Sequence, residues 1–175
     1  LQQPAAEDYG FIHYSRLIFP ASDKSFVRLR EHFGRDDTLT LSGNGQTVHI
    51  VARRIHPKRS DFSGISKNKY TARLYQGKPF YGTDNTIPQS VFALERITLN
   101  GQTVPAAELQ GLFSPDFAAT ARNSQVYDRW EAYYRSIDKR LYLFGRQGSG
   151  AGSFDVCFIF KDGKFQRRYL WNAAL

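Results

Sequence analysis

The fold is decided by the stretch SFDVCFIFKDGKFQRRYL at residues 153–170. A β-branched and aromatic run over 153–160 is followed by Asp162-Gly163, a pair that tolerates positive φ, and by a second run over 164–170. Alternate side chains of a strand point to opposite faces of a sheet. One face of the first run is wholly apolar: Phe154, Val156, Phe158 and Phe160. The stretch therefore predicts a β-hairpin that is buried on one face and at least half covered on the other.

Two further hairpins follow from the same signals. One has runs over 126–134 and 141–144 around a turn at 136–139, and the Gly- and Ser-rich segment 145–152 joins it to the 153–170 hairpin. The other has runs over 38–41 and 47–52 around Ser42-Gly43-Asn44-Gly45. Its alternation predicts a shared core face, formed by Leu39, Leu41, Val48, Ile50 and Ala52. Additional strands are predicted over 11–19, 67–75 and 90–99, with a tight turn at Asn100-Gly101.

Helical signals are few and short. Residues 22–34 combine a capping sequence, apolar residues at helical spacing and a closing glycine, which favours a helix over a strand there. Residues 105–110 start with proline and predict one or two helical turns, and residues 114–119 predict a second short piece. The sequence thus predicts a mainly β chain, an antiparallel sandwich or barrel-like meander with two or three short helices, with α+β as the alternative. We expect one domain over 1–175, with a flexible lead at 1–8.

The composition restricts the class of protein. Hydrophobic residues make up 41% of the 175 residues, which excludes a disordered chain, and no apolar run approaches the roughly 18 residues that span a bilayer. The chain contains no Met and starts Leu-Gln-Gln-Pro, which favours an exported bacterial protein, periplasmic or secreted, over a trimmed start. Cys157 cannot form an internal disulfide, and its place within a strand predicts a small buried hydrophobe rather than a nucleophile.

The positive charge is concentrated in one segment. The net charge is +8, and between Arg53 and Lys78 eight basic residues face one acid, Asp61. The candidate basic patch consists of Arg53, Arg54, Lys58, Arg59, Lys67 and Lys69. Such a patch attracts nucleic acid, an anionic polymer, anionic lipid or an acidic protein, and charge alone does not choose among them. Nucleic-acid binding would show as an affinity that falls steeply with salt.

No catalytic or metal constellation is evident. The histidines lack metal-ligand spacing: His13, His32, His49 and His56. The Gly-rich segment is followed by a strand rather than a helix, which argues against a phosphate-binding loop. We therefore predict no cofactor and no metal, and a hydrolase or nuclease that uses His49 or His56 ranks third among the functions considered.

Arginine, tyrosine and tryptophan alternate along the C-terminal hairpins, at positions 129–146 and 167–171. Such a face can stack bases, sugar rings or partner side chains. The simpler interpretation is that alternate aromatics lie in the core and alternate arginines are solvated, and it places Trp130 and Trp171 in the core. We favour the simpler interpretation for most positions.

Three C-terminal segments carry a resemblance. Residues 141–145, the Gly-rich loop over 148–154 and the turn over 160–165 are similar to the C-terminal hairpins of small exported bacterial β proteins of unknown function. Small periplasmic proteins of this size include immunity proteins that neutralise toxic effectors. The resemblance implies a non-catalytic inhibitor that blocks a protein partner with the loop 145–153. The candidate partner-binding residues are Arg146, Gln147, Ser149 and Ser153.

The alternative function is a β barrel that binds a small molecule. An abundance of Phe and Tyr is compatible with an apolar cavity inside such a barrel. The two functions differ in what they predict, because an inhibitor needs a surface loop and a barrel binder needs a closed cavity.

Overall fold

The computed structural model describes residues 23–33, 37–115, 117, 130–148 and 153–172. These residues form twelve strands. Their bounds are β1 Val27–Arg28, β2 Arg30–Phe33, β3 Thr38–Gly43, β4 Gln46–Ile55, β5 Phe62–Ser63, β6 Leu74–Tyr75, β7 Val91–Leu99, β8 Gln102–Thr103, β9 Glu131–Arg135, β10 Arg140–Gln147, β11 Phe154–Lys161 and β12 Lys164–Asn172. Strand residues make up 56% of the described part, so the prediction of a mainly β chain is confirmed.

Sheet 1 has the strand order β1-β9-β10-β11-β12, and all of its pairs are antiparallel. The turn between β11 and β12 has positive φ at both Asp162 (52°) and Gly163 (75°), as a tight two-residue hairpin turn requires. The predicted hairpin over 153–170 is therefore confirmed in its described part. Strands β9 and β10 confirm the preceding hairpin, whose predicted start at 126–129 lies outside the described residues.

Sheet 2 has the order β2-β3-β4-β7-β8 and is also antiparallel. Its two tight turns fall at Asn44-Gly45 and Asn100-Gly101, and all four residues have positive φ. The five side chains predicted for the core face of β3 and β4 are each at most 2% exposed. The predicted strand over 90–99 is confirmed as β7, whereas only two residues of the predicted 67–75 strand are in β6.

The inner faces of the two sheets share one hydrophobic core. Sheet 2 contributes Leu39, Leu41, Val48, Ile50, Ala52, Leu94, Ile97 and Leu99. Sheet 1 contributes Ala132, Leu141, Leu143, Val156, Phe158 and Phe160. Trp130 precedes β9 and lies flat against Gly145, where a Cβ would be 2.4 Å from two atoms of the indole ring. The aromatic and aliphatic alternation of the strands thus produces two layers packed face to face.

The predicted helix over 22–34 is wrong. Residues 27–28 pair with β9 of sheet 1 and residues 30–33 pair with β3 of sheet 2, so the chain passes from one sheet to the other at Leu29. The Leu29 amide donates to the Ala132 carbonyl at 2.8 Å, and its side chain is buried. Pairing with distant strands outweighs the local helical spacing, because each edge supplies partners for backbone groups.

The other predicted helices are also absent from the described part of the chain. Only a short 3-10 turn, Ala106–Glu108, is found within 105–110. Of the predicted piece over 114–119, Pro115 forms an isolated bridge with Gln147, and most of the remainder lies outside the described residues. The described residues contain no helix long and apolar enough to cross a membrane.

The barrel alternative is wrong as well, because the antiparallel sheets are not closed. Strands β12 and β8 end their respective sheets, and among the described strands each pairs with a single neighbour. A small-molecule site inside a closed barrel therefore has no place in this architecture.

A long connection between β4 and β7 forms a separate small layer. This connecting segment, residues 56–90, contains a 3-10 turn at Arg59–Asp61 and the two-stranded sheet of β5 and β6. It has its own hydrophobic cluster with parts of neighbouring strands: Phe62, Ala72, Tyr75, Phe80, Val91 and Phe113. Most of the predicted basic patch lies in this connecting segment, away from the main core.

Candidate functional site

The outer face of sheet 1 gathers the Arg, Tyr and Trp residues of the C-terminal hairpins. Strand register places Arg146, Asp155 and Trp171 side by side on β10, β11 and β12. The next outward row contains Phe144, Cys157 and Tyr169 on the same three strands. Because side chains alternate across a sheet, these six residues point away from the main core. The simpler interpretation of the alternating pattern therefore does not hold for this face.

Aromatic rings on this face contact one another. Tyr142 and Phe144 stack at a centroid distance of 6.5 Å, and Tyr133 meets Phe144 edge-on at 6.2 Å. Phe26, which precedes β1, meets Tyr142 edge-on at 5.7 Å and lies under the Arg135 guanidinium at 4.9 Å. These contacts link the ring cluster to the beginning of the described chain.

Carboxylates neutralise several arginines around the ring cluster. Glu131 binds Arg28 at 2.6 Å and also accepts the Tyr133 hydroxyl proton at 2.7 Å. Burial, followed by this hydrogen bond to Glu131, raises the pKa of Tyr133 to about 12. The other two pairs are Arg135 with Asp138 at 2.6 Å and Arg146 with Asp155 at 2.9 Å.

Strand β12 carries the most exposed aromatics of this face. Tyr169 is 49% and Trp171 41% exposed, and Arg167 donates to the Tyr169 hydroxyl at 3.1 Å. We call Arg167, Tyr169 and Trp171 the β12 surface. The prediction that Trp171 lies in the core is wrong, because its strand position points outward, whereas Trp130 is 2% exposed as predicted.

The structure separates the predicted partner-binding residues. Arg146 lies on the outer face beside Asp155, while Gln147 points inward and is fully buried. Ser153 is 6% exposed. Ser149 lies outside the described residues. Their role in partner binding stays a prediction, and Arg146 is the only described one of these residues that adjoins the β12 surface.

Gln147 belongs to a tight polar contact at the end of β10. Gly148 packs against Gly82 so closely that a Cβ on Gly148 would lie 2.7 Å from the Gly82 Cα atom. Neither amide atom of Gln147 nor the Thr83 hydroxyl has a hydrogen-bond partner among the described residues, although all three atoms are buried. Such groups cost about 1–3 kcal/mol each when left unpaired.

The predicted basic patch is divided by the end of β4. Arg53 lies 3.7 Å from Glu95, and Arg54 lies over the Phe92 ring at 4.9 Å, so these two belong to the sheet. The other four members of the patch lie in the connecting segment: Lys58, Arg59, Lys67 and Lys69. All six are exposed. The contiguous run of charge in the sequence therefore becomes two groups.

In the connecting segment, cations surround an open cavity of about 450 Å³. Its lining includes Lys67 and Arg73, and none of the ion pairs among described residues involves either side chain. The cavity also contains the hydroxyl groups of Ser66 and Thr71, which bond to each other at 2.8 Å. Tyr70, next to this lining, is 72% exposed. An unpaired positive pocket beside an exposed ring is suited to an anion with an aromatic group.

Tyr70 and Arg73 were not among the candidate residues taken from the sequence. The available signal was an aromatic residue inside the polar run SKNKYTAR at residues 66–73. A tyrosine with no apolar neighbours in sequence has little local reason to be buried.

The remaining candidates are placed as follows. His49 is exposed on sheet 2, with Nδ1 at 2.9 Å from the Thr40 hydroxyl oxygen, and His56 is exposed after β4. His13 and the side chain of His32 lie outside the described part. Within the described ranges, no group of three His, Cys, Asp or Glu side chains is arranged to hold a metal ion. Cys157 is 5% exposed, which confirms its prediction as a buried residue.

Comparison with protein-family models, with curated proteins and with solved structures found no match to this chain. The proposals below therefore rest on the geometry of its own residues.

Proposed function

We propose that this chain is a non-catalytic binding protein that holds an acidic, extended segment of another protein against the β12 surface. The observation that carries the proposal is the exposure of Tyr169 and Trp171 on the last strand of sheet 1. Tryptophan, tyrosine and arginine are the residue types that contribute most to binding free energy at protein interfaces. All three occur here within five residues.

The backbone of β12 supports an extended partner. Among the described strands it pairs only with β11, so its other edge has no described strand beside it. An extended peptide binds such an edge by adding a strand, where its backbone supplies hydrogen bonds and alternate side chains supply specificity. Exposed lysines at an edge usually prevent pairing with other basic or apolar strands. They do not oppose an acidic one.

Charge on the β11–β12 hairpin favours that acidic partner. Asp155 binds Arg146, and Arg168 binds Glu108, so these charges are already compensated. The ion pairs of the described residues include neither the exposed lysines of the hairpin nor Arg167. Opposite charge on the partner would accelerate association and exclude basic competitors.

The proposal connects to the inhibitor hypothesis through one row of side chains. Trp171 adjoins Asp155, which adjoins Arg146 at the base of the Gly-rich segment. A partner held on Trp171 is therefore close to the residues at 145–153. The finer proposal is an inhibitor of immunity type, in which that segment blocks the partner's own site.

Site-specific crosslinking tests the position of the partner. We would replace Tyr169 by a photoreactive phenylalanine derivative, irradiate the chain in an extract, and sequence the crosslinked peptide by mass spectrometry. We expect an acidic, extended peptide. A synthetic copy of it should bind the unmodified chain, and Trp171→Ala should weaken that binding by about 2 kcal/mol or more.

Two variants make the result decisive. Ile137→Ala removes another exposed apolar side chain, 86% exposed in a turn, and should leave the affinity unchanged. Equal binding of the synthetic peptide by wild type and Trp171→Ala would overturn the proposal. Loss of binding only when residues 148–152 are replaced by a short turn would assign the partner to the loop instead.

A further inference from the structure

We propose that the connecting segment is a binding site for single-stranded nucleic acid, with Tyr70 as the base-stacking residue and the cavity beside it as the phosphate site. This site lies apart from the β12 surface and does not depend on the protein-binding proposal. Its evidence is the combination of unpaired cations, a polar cavity and an exposed aromatic ring.

Contacts within the segment bring its cations together. The Arg59 guanidinium donates to the Lys69 carbonyl at 3.1 Å, so residues that are ten positions apart lie against each other. Lys67 and Arg73 stand on the lining of the same cavity. The acids of the segment are Asp61 and Asp84, against six basic residues. Asp61 accepts the Lys58 amide at 2.8 Å and caps the adjacent turn.

The cavity has the chemistry of a phosphate site. Its polar groups are hydroxyls of Ser66 and Thr71, the Asn85 side chain and the two cations. Hydroxyls and cations are the groups that proteins use for phosphate oxygens in nucleic acids. Gly64 keeps two walls in contact, since a Cβ there would lie 2.9 Å from the Arg73 Cβ atom and the residue has φ of +64°.

Tyr70 is held so that its ring faces solvent. Its amide donates to the Asn68 side chain at 3.1 Å, and its carbonyl accepts the Ile87 amide at 2.8 Å. The backbone is therefore fixed on both sides while 72% of the residue is exposed. An exposed aromatic side chain beside a basic groove is the arrangement on which unpaired bases stack. Duplex bases are already stacked on each other and do not need such a partner.

Fluorescence anisotropy provides the test. The probe is a labelled oligothymidylate of about 15 nucleotides, near the upper site size for one domain, titrated between about 50 and 200 mM salt. We expect Tyr70→Ala to weaken binding by about 5- to 150-fold at every salt concentration, as loss of one stacked base does. Tyr70→Phe should retain the affinity, because it keeps the ring.

The cations have a different signature. Each phosphate contact removed from Lys67 or Arg73 by substitution with alanine should lower the salt slope by about 0.7. Lys164→Ala, an equally exposed lysine on β12, is the matched control and should leave the slope unchanged.

Three results would overturn the proposal. Absence of oligonucleotide binding at low salt is one. Equal affinity of wild type and Tyr70→Ala is another, since it would leave charge as the sole attraction. The third is unchanged binding by the Lys67 and Arg73 variants together, which would place the nucleic acid elsewhere. Competition by heparin at equal charge concentration, with no preference for the oligonucleotide, would assign the cavity to polyanions in general.

Discussion

The outer face of sheet 1 and the connecting segment are both rich in cations and aromatic residues, but they use them differently. On sheet 1, Arg28, Arg135 and Arg146 each contact a carboxylate, and the rings pack on one another. In the connecting segment, Lys67 and Arg73 line a cavity without an acidic partner among the described residues. Composition is therefore similar in the two regions, and the difference lies in whether each charge is compensated.

This difference separates structural from available charge. A paired arginine has part of its hydrogen-bonding capacity occupied, and its partner must be displaced before a ligand can bind it. An unpaired exposed lysine is solvated and releases counterions when a phosphate binds. We therefore expect sheet 1 to use its aromatic edge for binding and the connecting segment to use its charge.

The largest predicted contrast concerns thiol accessibility. Burial raises the pKa of the Cys157 thiol to about 12, from a usual value near 9. Because the thiolate is the reactive form, the folded chain should alkylate about a thousandfold more slowly near pH 8 than the urea-unfolded chain. Iodoacetamide labelling followed by mass spectrometry measures both rates.

A thiol in the connecting segment supplies the comparison. Lys67→Cys in a Cys157→Ala background should react at the rate of a free thiol, because position 67 is exposed. If Cys157 reacted within tenfold of this reporter in the folded chain, the outer face of sheet 1 would be open and the contrast between the regions would disappear.

The next contrast concerns stability. A Cβ at Gly145 would lie 2.4 Å from Trp130 ring atoms inside the main core. We expect Gly145→Val to lower the free energy of unfolding by about 3 kcal/mol or more, as overpacking of a core does. Gly64→Ala should cost less, about 1–2 kcal/mol for its positive φ, and should weaken oligonucleotide binding. Urea denaturation followed by tryptophan fluorescence measures both changes.

Gly43→Ala is the matched control for the sheet. A Cβ there would meet its nearest neighbour at an ordinary 3.5 Å, and the residue needs no positive φ. Its effect should stay below about 1 kcal/mol, the cost of glycine relative to alanine working in its favour. A larger loss for Gly64→Ala than for Gly145→Val would show that the connecting segment, and not the two-sheet core, limits stability.

The hairpins could be predicted because their signals are local. Period-two alternation and Asn-Gly or Asp-Gly pairs specify both the strands and the turns, and the core faces of β3, β4 and β11 follow from them. The strand over residues 27–33 could not be predicted in this way. Its partners are β9 and β3, and the long-range pairing is not encoded in its own spacing.

The candidate sites were predicted less well, for a related reason. Exposure of Trp171 depends on which face of the sheet is covered, and periodicity assigns residues to faces without saying which face is buried. The basic patch was contiguous in sequence, but β4 ends at Ile55, so Arg53 and Arg54 stay with the sheet. Tyr70 was hidden by the polarity of its neighbours, although that polarity is what leaves it exposed.

The smallest predicted contrast isolates one compensated charge. Hydrogen bonding from Arg135 lowers the pKa of Asp138 below its usual range, so the folded state favours the ionised carboxylate. Asp138→Asn should lower the free energy of unfolding at pH 7 by about 0.2–1 kcal/mol, the range for a partly exposed ion pair. A lowered pKa stabilises the fold above the unfolded value near 4, and this contribution is lost as the pH falls through the folded value. The difference between variant and wild type should therefore vanish in strong acid. Asp84→Asn in the connecting segment is the control, because the ion pairs of the described residues do not include Asp84, and its effect should be negligible at every pH. An equal loss for both variants in urea denaturation would show that ion pairing does not distinguish the two regions.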